Sequence, residues 1–236
     1  MWRRLLLIFT LGAFAGIFVI PINPVHSKLL KLAHLCSFGA TWVGLLLLMW
    51  RYQKVRIAIL ILPLFFALPL LLPGRPIKTN ELRANYVQRM NAFQETSYYW
   101  GGENSRGIDC SGLPRRALRD ALLSYGFRNF NGRAFRGFLE QWWYDASALA
   151  LSEGYRDYTT PVGVSGTIEE IDSKSLKAGD LAVTDNGVHA LAYIGEGRWI
   201  QAEPGIQKVV NLHAQNDENP WFRVPVSIYR WRVLTD

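Results

Sequence analysis

Residues 107–112, "GIDCSG", set a cysteine between an acid and a serine, with glycines close on both sides. The segment that follows, "LPRRALRDALLSYG", reads as a helix carrying Leu113, Ala117, Leu118 and Leu122 on one stripe, with Asp109 as N-cap and Gly126 as stop. Cys110 then falls in a first helical turn, where unpaired N–H groups and the positive end of the dipole favour an anion. A thiol placed there is expected to ionise below its usual value of about 8.5. The same N–H groups could hold the oxyanion of a tetrahedral intermediate.

Such a thiol still needs a base, and the chain has four histidines. His26 and His34 lie in a loop and at an edge of apolar segments and are not expected to reach Cys110. His189 lies on "GVHALAYIG", which with "RWIQAE" describes a β-hairpin. Gln201, on the returning strand, could hold the imidazole by its second nitrogen, with His213 as the rival for that part. Cys110, His189 and Gln201 thus form a candidate Cys–His–polar triad. One cysteine and two histidines without ligand spacing do not make a metal site, so neither a metal nor a cofactor is expected.

Helices come first along the chain and an antiparallel sheet second, an α+β pattern. Residues 81–95 and 110–126 read as amphipathic helices, and "AFRGFLEQWWYDASALAL" looks helical. The pattern turns to strands from "LKAGDLAV" onward, with "KVVNLH" and "SIYRWRVL" after the hairpin. Trp142, Trp143 and Tyr144 are expected to pack in a core or at a membrane surface. Glu103 and Glu203 are expected to be solvated.

Ahead of this domain, residues 5–20, 33–50 and 57–73 carry no Lys, Arg, Asp or Glu. Each is near the lower limit for crossing a hydrocarbon core of about 30 Å, giving three expected transmembrane helices. The chain therefore divides into a membrane anchor, 1–74, and a second domain, 75–236. The net charge of +7 lies entirely in the anchor, since the second domain holds nineteen acidic and nineteen basic residues. A nucleic-acid binder would concentrate its charge on the folded domain, so nucleic acid is excluded as a partner. Arg3 and Arg4, with Arg51, Lys54 and Arg56, put the N-terminus and the second loop in the cytoplasm by the positive-inside rule, while Lys28 and Lys31 argue mildly the other way. Three crossings then export the second domain. Cys36 reads as a packing residue in an apolar span, which leaves Cys110 unpaired in a compartment where thiols oxidise.

The ordered blocks "YYWGG…DCSGL", "LKAGDLAV" and "GVHALAYIGEGRWIQA" resemble the NlpC-type family of papain-like cell-wall cysteine peptidases over roughly residues 80–205. Tyr98, Gly101, Gly102, Asp109, Cys110, Ser111, Gly112, Gly179, Asp180, His189 and Gln201 fall on the family's positions. The resemblance implies a papain-like domain, with helices packed on an antiparallel sheet. It also implies hydrolysis of amide bonds in peptidoglycan stem peptides, often between γ-D-glutamyl and a diamino acid. Cys110, His189 and Gln201 would be catalytic, and Tyr98, Asp109 and Ser111 would hold substrate or oxyanion. Three departures stand out: Pro114 has no N–H to give the Cys110 carbonyl, residues 120–175 are longer than a minimal family domain, and the third polar residue, Gln201, is Gln rather than His.

The expected partners are stem peptides and the lipid of a bacterial inner membrane, with the catalytic domain on its periplasmic or extracellular side. The helices could also hold a membrane-protein partner. Two readings from other classes stay open: a non-catalytic wall-binding or scaffolding module, and a Cys-dependent amidase or acyltransferase acting on another substrate.

Overall fold

A computed structural model describes residues 1–235. Three long apolar helices open the chain: α1 (Trp2–Val19), α2 (Lys28–Leu48) and α3 (Gln53–Leu71). Each is long and apolar enough to cross a membrane. They begin three to five residues earlier than the uncharged segments do, because Arg3, Arg4, Lys28, Lys31, Lys54 and Arg56 are taken into their first turns. Thr10 of α1 sits against Gly44 of α2, where any side chain would collide with the threonine hydroxyl. Small residues allow that close approach between apolar helices.

The second domain builds its core from two periodicities. In α4 (Thr79–Asn91), Leu82, Tyr86 and Met90 recur every four residues and are fully buried. In α5 (Gly112–Asn129), Leu113, Ala117, Leu118, Ala121, Leu122 and Tyr125 form the matching stripe. The helix runs through Gly126, the expected stop, because the missing side chain there admits the Phe135 ring. It ends instead at Phe130, which takes the left-handed conformation and returns its neighbour's N–H to the Gly126 carbonyl. Helices α6 (Gly132–Trp143) and α7 (Ala148–Ser152) follow.

Six strands make one antiparallel sheet in the order β3-β8-β4-β5-β6-β7. They are β3 (Thr159–Gly166), β4 (Leu181–Thr184), β5 (Ala190–Gly195), β6 (Arg198–Glu203), β7 (Lys208–His213) and β8 (Val226–Trp231). Leu181, Ala192, Ile200, Ala202, Val209 and Trp231 pack on the helices, while Ala182, Leu191, Tyr193, Trp199, Val226 and Ile228 join Phe222 on the opposite face. This is the period-two alternation of a sheet covered on both sides. A short ribbon, β1 (Glu103–Asn104) with β2 (Gly107–Ile108), leads into α5.

The loop between α1 and α2 packs directly on this ribbon. The His26 N–H donates to the Gly101 carbonyl (2.9 Å), the Glu103 N–H to that of Pro24 (2.9 Å), and Asn104 Nδ2 to that of Asn23 (2.9 Å). Loop and domain therefore lie at the same end of the helical bundle. Lys31, which argued against the topology as a free charge, is 3 % exposed and paired with Asp145 (2.7 Å). At the third helix, Arg136 donates to the carbonyls of Leu70 and Leu72.

Candidate active site

Asp109 shapes the turn that carries Cys110. Its Oδ1 accepts from the N–H of Ser111 (3.0 Å), the N–H of Gly112 (2.5 Å) and the Ser111 hydroxyl (3.0 Å), and its Oδ2 from the Gly101 N–H (2.9 Å). Asp109 and Ser111, expected to hold substrate or oxyanion, make these contacts within the nucleophile loop. Glycine is required at 102 and 112, because a side chain at either would run into the backbone of Gly107 or Gly102. Pro114 lies in the first turn of α5, and the Leu113 N–H still reaches the Asp109 carbonyl (3.0 Å) and the Arg115 N–H that of Ser111 (3.4 Å). The turn is therefore intact.

Cys110 is 7 % exposed, and its thiol lies 3.9 Å from the Val188 carbonyl oxygen. Burial pushes the thiol up to about 12, and the Asp109 carboxylate adds to that; N–H groups of Ala190, Ser111 and Cys110 itself work the other way. The expected lowering by the helix N-terminus does not prevail, because burial, with the Asp109 charge added to it, outweighs the N–H groups that favour a thiolate. Burial likewise lowers His189 to about 4, against its hydrogen bond to Gln201 and the Glu203 charge. Both groups are neutral at pH 7.

His189 immediately precedes β5, and the register pairing Ala192 with Ile200 puts Gln201 diagonally across from it on one face. His189 Nε2 lies 2.6 Å from Gln201 Oε1. Gln201 Nε2 donates to Asn219 Oδ1 (3.2 Å), which also accepts the Trp221 N–H (3.1 Å). A backbone N–H can only donate, so this chain fixes every role in turn. Asn219 presents oxygen, Gln201 its amide NH2 to Asn219 and its oxygen to His189, and His189 must then carry its proton on Nε2. That leaves Nδ1 as the basic nitrogen.

Asn219 and Trp221 were not foreseen in the sequence. Trp221 stacks on the imidazole, with centroids 4.0 Å apart and planes at 17°, and its Nε1–H donates to Glu203 (3.0 Å). Glu203 is buried rather than solvated, also accepting the N–H groups of Gly205 and Ile206. Tyr98 lies in the field of Cys110 and Asp109; burial first, and those groups next, push its phenol up to about 12. Asp180 is held by Arg230 through two 2.7 Å contacts and locks β8 to the β4 entrance. His213 is remote from this cluster, bordering Gly197 at the far end of the β5–β6 hairpin.

His26 has no contact with Cys110 and instead borders the ribbon ahead of it. Its Nδ1 meets Glu103 and Asp145, carboxylates that Arg115, Arg119 and Lys31 also contact. Glu103 is buried, yet Arg115 and Arg119 outweigh that burial and hold its carboxyl well below the usual range. His26, Glu103 and Asp145 bring ligand-type atoms within 4.8 Å of one another. Three cationic side chains already occupy that cluster, which makes it an ion-pair network rather than a metal cradle. Trp142 and Trp143 belong to this junction: the Trp142 ring stands edge-on to His26, and the Trp143 carbonyl accepts from Lys31.

The NlpC/P60 family model matches residues 95–226, more than half of the chain, with Cys110, His189 and Gln201 inside the match. The chain belongs to the NlpC/P60 family. Among curated proteins, none matches the sequence. Solved structures with a similar fold include the P60 domain of an antigen from M. avium subspecies paratuberculosis (18 % identity, 68 % of this chain and 100 % of that one, TM-score 0.39). The peptidoglycan hydrolase RipB from Mycobacterium tuberculosis is similar at 19 % identity, over 67 % of each chain, with a TM-score of 0.39. An N-acetylmuramoyl-L-alanine amidase from Bacteroides uniformis is similar at 11 % identity, over 64 % of this chain and 98 % of that one, with a TM-score of 0.42.

Proposed function

We propose that this NlpC/P60 protein is a membrane-anchored cysteine hydrolase that cuts amide bonds in peptidoglycan stem peptides. The observation that carries the reading is the hydrogen-bond chain from the Trp221 N–H to His189, which leaves Nδ1 unprotonated beside the backbone that touches the Cys110 thiol. Cys110 attacks the amide carbonyl while His189 Nδ1 takes its proton, so the charged pair forms only as the bond is made. The imidazolium then protonates the leaving amine, and water, deprotonated by the same nitrogen, releases the acyl group. Gln201 holds the ring throughout. The Cys110 N–H donates to no acceptor among the described residues, and with the Tyr98 hydroxyl it would meet the oxyanion. A bond between γ-D-glutamyl and a diamino acid is the first candidate, on the strength of the motif blocks.

Residues 1–74 act as the anchor and 75–236 carry the chemistry. Arg3, Arg4, Arg51, Lys54 and Arg56 support a cytoplasmic N-terminus and hence a catalytic domain outside the inner membrane. The full-length protein in detergent and its Cys110→Ala variant, each incubated with peptidoglycan fragments and read by mass spectrometry, test the activity. Stem-peptide cleavage by the wild type alone is expected; equal cleavage by both overturns it. A phosphatase reporter fused after residue 236 is expected to be active, and activity only of a cytoplasmic reporter would reverse the topology.

A further inference from the structure

Nine large apolar side chains are exposed among the described residues after position 74, and their placement is uneven. Phe127, Phe130 and Leu139 continue α3; Phe127 and Leu139 share a groove with its Phe65, Phe66, Pro69 and Leu70. Tyr155 stands apart. The other five, Tyr99, Trp100, Leu149, Val188 and Ile206, lie on the segments that carry or contact the catalytic residues. Trp100, at 77 % exposure, precedes the Gly101 that Asp109 holds. Leu149 lies against Gly187, and Val188 supplies the carbonyl beside the thiol. Ile206 tops the turn that Glu203 braces under Trp221.

The nucleophile loop stands at the end of the helical bundle. Gly101 accepts the N–H of His26, which is one residue before the Ser27 cap of α2. Arg116 and Arg119, little more than one turn into α5, line a cavity of about 150 Å³ with Ile20, Leu30 and His34 of the first two helices. Farther along, Leu123 and Phe127 meet the outer turns of α3. Helix α5 therefore lies along the end of the bundle, with Cys110 at its start. Exposed apolar surface of this kind marks a contact with lipid or with an apolar ligand.

We infer that the mouth formed by Trp100, Leu149, Val188 and Ile206 receives the hydrocarbon chain of a lipid-anchored substrate, so that the amide cut is one still tethered to the bilayer. The inference rests on the amide-hydrolase reading above and names its substrate class. Water-soluble fragments would give those side chains nothing to bury, whereas an anchored amide is presented at the end of the bundle where Cys110 sits.

The test uses the full-length protein in lipid nanodiscs and one synthetic stem peptide carrying either a palmitoyl or an acetyl group at its N-terminus. The ratio of kcat/KM for the two peptides is measured within each enzyme, so differences in folded fraction cancel. The wild type should prefer the palmitoyl peptide by at least about tenfold, the effect of keeping two further methylenes from water. The preference should collapse in Trp100→Ser/Ile206→Ser and persist in Trp100→Leu. A wild-type ratio near one, with the acetyl peptide cleaved, overturns the inference alone. An unchanged ratio in the double serine variant also overturns it, because co-residence in the bilayer then explains the preference. Cleavage of neither peptide overturns the hydrolase reading and this one with it.

Discussion

His189 and Gln201 face each other across the β5–β6 hairpin with 2.6 Å between Nε2 and Oε1, and the tautomer of the histidine is set by a backbone N–H two side chains away, that of Trp221. Loss of Gln201 should therefore act on kcat rather than KM. Gln201→Ala is expected to lower kcat about 10- to 100-fold, a part of the usual general-base contribution. Gln201→Glu keeps the acceptor but adds a negative charge, which raises the imidazole pKa. The acid limb of its kcat/KM profile should move up by a measurable amount.

The pH dependence of the wild type follows from two buried neutral groups. His189 titrates at about 4 and the thiol at about 12, so the proton-accepting form exists across the whole range between them. The kcat/KM profile should be flat from about pH 5 to pH 9, falling on the acid side near 4. Alkylation of Cys110 by iodoacetamide should show no inflection below pH 9; a thiolate titrating near neutrality would contradict this.

The same groups shape stability. An unfolded histidine binds its proton near 6.5, above the folded value, so the unfolded state gains protons as pH drops from about 6.5 to about 4 and folding weakens over that window. An unfolded cysteine ionises well below the folded value, so folding also weakens as pH rises above about 9. His189→Gln should flatten the acid side of a plot of Tm against pH while leaving the alkaline side in place.

Glu103 joins the α1–α2 hairpin to α5 through His26, Arg115 and Arg119. Glu103→Gln leaves the buried Arg119 without its carboxylate and Arg115 with Asp145 alone, and breaking such a buried pair costs about 3–5 kcal/mol. The thermal transition of the full-length protein in detergent should fall accordingly. A chain cut before residue 75 loses His26 and Lys31 as well as the strand contact at Val25, so it should melt below the full-length protein. An equal Tm for the two would show the hairpin to be dispensable.

Much of this was legible in the residues alone. The alternation in "VHALAYIG" and "RWIQAE" sets the hairpin and with it the His189–Gln201 facing, because strand register is local. The stripe in α5 did the same for Cys110. Gly126 misled because its meaning lay in Phe135, a tertiary neighbour for which the missing side chain makes room. The thiol's direction of shift misled for a similar reason: burial, a tertiary effect, outweighs the N–H groups that favour a thiolate, and the Asp109 charge adds to it. Asn219 and Trp221 reach the site, and His26 the ribbon ahead of it, from distant segments, and no local pattern marks such contacts. Glu103 and Glu203 look like surface acids until Arg115, Arg119 and the 205–206 turn close around them.

The most direct test of the account asks whether Cys110 carries the acyl group. Full-length protein is mixed with a stem-peptide substrate, quenched in acid within the first turnovers and digested, and the peptide containing Cys110 is weighed. The account predicts a mass increase equal to the acyl half of the substrate on Cys110, absent in His189→Ala. Stem-peptide cleavage with no adduct on Cys110, continuing undiminished in Cys110→Ala, would contradict it.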